Sequence, residues 1–163
     1  MSAVTYDQLR VLYRTLLVFA TVATVILSIG LVQFVYFERP GQSSGIHATI
    51  EGVYKYDPNT GQTSGPDRRE FARAEQFASV VDWTSIPGNV IADARWYDTF
   101  GSIEGAVGPA PAGSLVDKKV VPVKVPPTYR FVLPGRYQFV VERYQGGLPV
   151  EVLARRFVVV DRT

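Results

Sequence analysis

The sequence predicts one N-terminal transmembrane α-helix followed by an all-β antiparallel sandwich. Two observations support this fold class. Residues 15–37 contain no charged side chain, which is typical of a membrane span. The later residues form short β-branched and aromatic runs between frequent glycines and prolines, the pattern of an antiparallel β domain. The chain has no cysteine, so no disulfide framework and no cysteine-based metal site is possible.

The uncharged run is long enough to cross a bilayer as a helix. Its 23 residues cover roughly 34 Å, against a hydrocarbon core of about 30 Å. In hydrocarbon, a single segment satisfies its own backbone hydrogen bonds only as a helix. We therefore expect an N-terminal tail over 1–14, a span over 15–37, a linker over 38–45 and a domain over 46–163. The residues predicted to anchor the span at the two interfaces are Arg10, Tyr13, Arg14, Tyr36 and Arg39.

Two other interpretations of the uncharged run are less favourable. A helix buried in a soluble core rarely extends over so many uncharged residues. A cleaved signal peptide has an apolar region of about 7–15 residues and small residues at its cleavage site. This run is longer, and residues 34–37 at its end are bulky. The sequence therefore predicts an uncleaved signal-anchor.

The orientation of the span depends on the basic residues beside it. Arg10 and Arg14 precede the run, whereas Arg39 and Lys55 follow it, so the positive-inside count is a tie. The N-terminal flank has only Asp7 against its cations, and a long C-terminal domain can be translocated largely regardless of its charge. We predict a bacterial inner-membrane protein with a cytoplasmic N-terminus and a periplasmic domain.

One face of the predicted span carries small residues. Ala20, Thr24 and Ser28 recur at i, i+4 and i+8, and Thr21 lies beside them. Small residues allow a neighbouring helix to approach closely, and hydroxyls can bond across to it. We interpret these four residues as a helix-packing face. The alternative is that the hydroxyls bond carbonyls of their own helix.

The first half of the predicted domain combines strand and turn signals. Residues 46–51 alternate between apolar and polar side chains, which predicts a half-buried first strand that runs on to Tyr56. Residues 57–67 have the composition of a loop. Residues 68–77 are ambiguous between a short helical turn and an extended segment that leads into a strand over 76–83. The sequence therefore predicts two strands here, separated by a long connection.

The second half contains stronger strand signals. A turn at 87–89 precedes a strand in which Val90, Ala92, Ala94 and Trp96 share one face. Residues 101–113 are rich in Gly, Ala and Pro, so we expect a loop with one short strand inside it.

Pro122 marks the next segment, and the strongest signal follows it. Because of this proline, residues 118–125 read as an edge strand or a bulge. The clearest β signal is the final hairpin, with strands over 136–144 and 149–160 around Gly146 and Gly147. In its first strand, Tyr137, Phe139 and Val141 share one face.

These motifs together resemble a known architecture. Trp96 lies on a middle strand, residues 134–141 read PGRYQFVV, and a Gly-Gly turn leads to a terminal RFVVV. The pattern resembles bacterial immunoglobulin-like or fibronectin-III-like sandwiches over residues 76–160. The resemblance implies that Tyr137 is the corner tyrosine of that architecture and that the domain binds other proteins. It implies no enzymatic activity.

The sequence offers little support for catalysis or cofactor binding. His47 is the single histidine, and no nucleophile motif accompanies it, so we interpret it as a surface or partner-contacting residue. Asp57 and Asn59 resemble the start of a calcium loop, but the twelfth position is Arg68 rather than a carboxylate. A turn is the better interpretation. We expect no cofactor, no metal site and no enzyme.

Arg95 and Tyr97 form the candidate protein interface. On a strand, their side chains face opposite to Trp96, and Arg and Tyr are enriched at interaction hot spots. The alternative is that Trp96 belongs to the core and that Arg95 pairs with a neighbouring carboxylate. The formal net charge is only +2, which argues against nucleic acid as the main partner.

Two hypotheses about function remain. The first is a non-catalytic accessory subunit that packs on integral subunits of a larger membrane complex, such as a bacterial photosynthetic or respiratory assembly. The second is a membrane-tethered sandwich that binds a soluble peptide, glycan or cell-wall ligand. The lipid bilayer is a partner in both.

Overall fold

The computed structural model describes residues 6–38, 44–125 and 131–161, with helix side chains over 10–28. The chain divides into two compact units, Met1–Arg39 and Pro40–Thr163. The first unit contains the helix α1, and the second contains every β-strand of the described residues. In chain order the strands are β1 (Thr49–Asp57), β2 (Gln62–Ser64), β3 (Glu70–Phe71), β4 (Phe77–Asp82), β5 (Ile91–Tyr97), β6 (Ile103–Pro111), β7 (Val120–Pro122), β8 (Gly135–Gln145) and β9 (Leu148–Val160).

The helix α1 (Tyr6–Glu38) has 33 residues and extends over about 50 Å. It begins nine residues before the predicted span. The span is bounded by its lack of charge, whereas residues 6–14 include charged and polar residues that are nevertheless good helix formers. It ends shortly before Pro40, as the helix-breaking geometry of proline predicts. Arg10–Ser28 is long and apolar enough to cross a membrane, and all of its side chains are exposed.

The strands form two sheets. The first contains four strands in the order β2-β1-β4-β7, and the second contains five in the order β3-β9-β8-β5-β6. The two sheets share one hydrophobic core, which is a sandwich-like arrangement. The prediction of an all-antiparallel domain is wrong for β3, which pairs in parallel with β9 and makes the second sheet mixed.

Several strand predictions are confirmed. The apolar–polar alternation continues into β1, where a bulge at Ile50–Gly52 then shifts the buried face. Ala92, Ala94 and Trp96 of β5 all face the core. The final hairpin turns at Gly146 and Gly147, whose φ angles of 61° and 81° allow the tight turn that antiparallel strands prefer.

Two predictions of irregular structure are corrected, and one open alternative is decided. The predicted loop over 57–67 contains β2, which pairs with β1 as a hairpin. The ambiguous segment over 68–77 contains the short strand β3 rather than a helix. The segment over 101–113, for which we expected a loop with one short strand, contains the nine-residue strand β6. A side chain at Gly105 would collide with the carbonyl of Pro122, so close packing explains part of this unusual composition.

Aromatic rings connect the two sheets through the core. The ring of Phe77 in β4 stacks on Phe71 with centroids 4.7 Å apart and meets Trp96 edge-on at 5.1 Å. Trp96 in turn lies 4.8 Å from Phe139 of β8. Its indole N–H donates a hydrogen bond of 2.8 Å to the carbonyl of Val121 in β7. Trp96 therefore contacts both sheets, and its predicted place in the core is confirmed.

Tyr137 donates a hydrogen bond to the segment just before β8. Its hydroxyl donates to the carbonyl of Leu133, four residues upstream, at 2.9 Å. Burial, with smaller contributions from Glu104 and Asp98, raises the pKa of Tyr137 to about 12. The phenol is therefore protonated near neutral pH and can donate this bond. The bond fixes the segment that enters β8.

Removing the Tyr137 hydroxyl should destabilise the chain measurably. We expect Tyr137→Phe to lower the free energy of unfolding by about 1 kcal/mol, because the Leu133 carbonyl loses its donor. In a thermal melt of the detergent-solubilised chain, followed by near-UV circular dichroism, Tm should fall by about 4 °C. Tyr54→Phe is the matched control, since its hydroxyl makes only an exposed bond of 3.3 Å. Equal losses in both variants would contradict the prediction.

Candidate functional site

The predicted interface residues lie on the outer face of the five-stranded sheet, opposite to the core. Arg95 binds the carboxylate of Asp93 with two groups of its guanidinium. Its Nε lies 2.9 Å from each oxygen, and its Nη2 lies 2.7 Å from Oδ2. The two residues are two positions apart on one strand, so their side chains share a face. The carboxylate partner that the alternative interpretation proposed for Arg95 is therefore present.

Strand β8 adds two side chains that the sequence interpretation did not place here. Glu142 lies directly opposite Asp93 in the β5–β8 register. Tyr97 donates a long hydrogen bond of 3.4 Å to Glu142. The guanidinium of Arg95 lies 5.5 Å from the ring centroid of Tyr144. One arginine therefore lies within a group of two carboxylates and two phenols.

Burial dominates the electrostatics of this group. Asp93 is fully buried, and Glu142 is 3% exposed. Desolvation raises the pKa of Glu142, the nearby Asp93 adds to this effect, and Arg95 and Tyr97 partly oppose it. Burial also raises the pKa of Tyr97. The hydrogen bonds that Arg95 donates to the Asp93 carboxylate keep the pKa of Arg95 above its usual value.

Within this group, the arginine is more accessible to a partner than either tyrosine. The side chain of Arg95 is 22% exposed, whereas Tyr97 and Tyr144 are each only 8% exposed. The two tyrosine rings are therefore mostly buried and lie beside the guanidinium. Whether a protein binds at Arg95 and Tyr97 stays a prediction. The sequence interpretation missed Glu142 and Tyr144. One pattern could have found them, because strand alternation along 136–144 places both on the face opposite to Val141.

A third buried carboxylate, that of Glu151, fixes the start of the domain. Glu151 accepts a hydrogen bond from the backbone N–H of Ser44 at 2.8 Å and another from Nε of Arg143 at 2.8 Å. Burial by itself would raise the pKa of Glu151, but these hydrogen bonds outweigh it and lower the pKa. Glu151 and Glu142 are both buried, yet their environments shift their pKa values in opposite directions.

The other candidates occupy ordinary surroundings. His47 is exposed on the segment before β1. The carboxylate of Asp57 accepts a hydrogen bond of 2.9 Å from the N–H of Asn59, as expected for a turn. Among the residues that the structure describes, no group of three or more His, Cys, Asp or Glu side chains could hold a metal ion.

On α1, the hydroxyls of the predicted packing face bond within the helix. Thr21 donates to the carbonyl of Leu17, and Thr24 donates to that of Ala20, each at 2.8 Å. Ala20 and Ser28 are exposed, as are three of the predicted anchors, Arg10, Tyr13 and Arg14. Tyr36 belongs to the helix, but its side chain lies outside the described residues, and so does Arg39.

Comparison with known proteins assigns no family. No protein-family model matches the chain, and no curated protein sequence is significantly similar to it. The proposals about function therefore depend on the chemistry of the helix and of the outer sheet face.

The two buried glutamates should respond oppositely to pH. The folded-state pKa of Glu142 lies above its ordinary value of 4.5, so its contribution to stability is lost as pH rises through that pKa. As pH rises from about 4 to 8, the Tm of Glu142→Gln should therefore increase relative to the Tm of the unmodified chain. Glu151 has a lowered pKa, so its contribution is lost as pH falls instead.

Glu151→Gln is therefore the matched comparison. We expect it to lower Tm at neutral pH and to approach the Tm of the unmodified chain in acid. Thermal melts of both variants across this pH range provide the measurement. Parallel pH profiles for the two variants would contradict the assignment of opposite shifts.

Proposed function

We propose that the chain is a non-catalytic, single-span accessory subunit that packs on a larger membrane protein complex. The observation that carries this proposal is the surface of α1. Every residue of Arg10–Ser28 is exposed, and large apolar side chains such as Leu12, Phe19 and Leu27 are more than half exposed. A helix with such a surface is stable only in lipid or against other apolar helices.

The spacing of the small residues supports packing on another helix, whereas their hydroxyls bond within α1 as the alternative interpretation proposed. Because Thr21 and Thr24 satisfy their own hydroxyls within the helix, these side chains enter lipid at low cost. Ala20, Thr24 and Ser28 then form a shallow strip into which a neighbouring helix fits by shape. Close backbone approach, rather than hydrogen bonding between helices, is the proposed source of affinity.

We further propose that the β domain is immunoglobulin-like. Trp96 on the interior strand β5 is buried between the sheets, as is a tryptophan in that fold. The hydrogen bond from Tyr137 to Leu133 near the start of β8 is that of a tyrosine corner. Such domains bind proteins through their surfaces, which agrees with an accessory role.

Substitutions on opposite helix faces test the packing proposal. Leucine at Ala20, Thr24 and Ser28 should fill the strip, and partner subunits should no longer co-purify with the tagged chain in mild detergent. The matched control places leucine at Val18, Val22 and Ile26, on the other side of the helix. Partner recovery should be unchanged there.

Two outcomes would overturn the proposal. One is recovery of the unmodified chain as a monomer with no associated subunit. The other is equal partner recovery from both triple variants, which is the expected result for a tethered domain that binds a soluble ligand.

The absence of cysteine allows a clean test of orientation. We propose a cytoplasmic N-terminus, so Thr60→Cys, in the turn after β1, should react with a membrane-impermeant maleimide on intact bacterial spheroplasts. Ser2→Cys should react only after lysis. The reverse labelling pattern would place the domain in the cytoplasm.

A further inference from the structure

The outer face of the five-stranded sheet carries side chains in ordered rows. In the hydrogen-bonded register, Arg95, Val140 and Arg155 lie side by side on β5, β8 and β9. The next row contains Tyr97, Gln138 and Phe157 on the same three strands. Arg136 and Val159 form the row beyond it on β8 and β9. We call the set of Arg95, Arg136, Arg155 and Phe157 the arginine face.

The burial of Val140 indicates that the neighbouring arginines lie along this surface. It points away from the core, yet it is fully buried. The stem of a long side chain such as Arg155 can cover apolar surface while its charged end remains in water. Both arginines are partly exposed. Their guanidinium groups therefore flank a covered apolar centre.

Two of these cations have no carboxylate partner in the described part of the chain. Arg136 lies over the ring of Phe157, with its Cζ 4.1 Å from the ring centroid. Neither Arg136 nor Arg155 forms an ion pair with a described residue. Arg95, in contrast, is held by Asp93 at 2.7 Å. The surface therefore presents two available guanidinium groups beside an aromatic ring.

We propose that the arginine face binds an acidic segment of a partner protein. A guanidinium group matches a carboxylate with two parallel hydrogen bonds, and Arg with aromatic side chains is typical of interaction hot spots. Carboxylates of the partner would pair with Arg136 and Arg155, and an apolar side chain between them would cover Phe157. This surface goes beyond the proposed role of the helix and does not depend on it.

The charge around the face favours a protein over a lipid surface. Its three arginines share the face with Asp93 and Glu142, and Glu70 on β3 lies beside Val159. A polybasic lipid-binding segment contributes about 1 kcal/mol per cation, and acidic neighbours reduce this attraction. Discrete carboxylates, in contrast, can pair with individual guanidinium groups and avoid Glu70.

A charge-reversal experiment tests the proposal. The probe is a short fluorescent peptide of alternating Glu and Tyr, and the full chain is held in nanodiscs of neutral phosphatidylcholine. Fluorescence anisotropy should show binding that weakens with added salt. Arg155→Glu and Arg136→Glu should each weaken it about tenfold. Lys118→Glu is the matched control on an exposed position outside the arginine face, and it should bind like the unmodified chain.

The remaining outcomes separate this proposal from its alternatives. Equal weakening by Lys118→Glu, or equal binding of a Gln-Tyr peptide, would overturn it in favour of non-specific attraction. Binding to phosphatidylserine vesicles, lost in Arg155→Glu, without peptide binding would also overturn it. Thermal melts establish that each variant is folded, and Arg155→Gln, which keeps much of the stem, should also weaken binding. Failure here leaves the helix proposal intact, because the helix variants do not alter this face.

Discussion

The contact between Trp96 and Phe77 is the constraint on which the domain depends. It joins an interior strand of each sheet, and the indole N–H of Trp96 also bonds Val121 at 2.8 Å. A buried indole needs such a partner, because an unsatisfied N–H in the core costs about 1–3 kcal/mol. The position of β7 is therefore set by Trp96. Once β5 is fixed against the first sheet, its register with β8 decides which side chains meet on the outer face.

The sequence predicts those elements whose patterns are local. The alternation of Tyr137, Phe139 and Val141 marks the buried face of β8 without knowledge of its neighbours. Asp93 and Arg95 are two residues apart, so the local sequence also predicts their pairing. Glu142 joins them only through cross-strand register. That register depends on the hydrogen-bond ladder between β5 and β8, which no short-range pattern encodes.

The edge strands of the two sheets favour the proposed contact through a face. Both edge strands of the first sheet, β2 and β7, have three residues, and β7 contains Pro122. In the second sheet, β3 has two residues, while β6 contains Pro109 and Pro111, which have no N–H to donate. Short edges and edge prolines disfavour the addition of a strand from another chain. The wide outer face is therefore the contact surface that we propose.

The buried carboxylates on that face lower the stability of the fold through their desolvation, and packing alone does not explain their presence. Asp93 is matched by Arg95, but Glu142 is a second carboxylate with its pKa raised by burial. An apolar residue at this position would avoid the desolvation. In exchange, Asp93 orders Arg95 before any partner arrives, so less side-chain entropy remains to be lost on binding. The turn at Asp57 has no comparable cost, because its carboxylate is exposed to water and bonded to Asn59. A costly, ordered charge cluster beside two available arginines is therefore the stronger candidate for function.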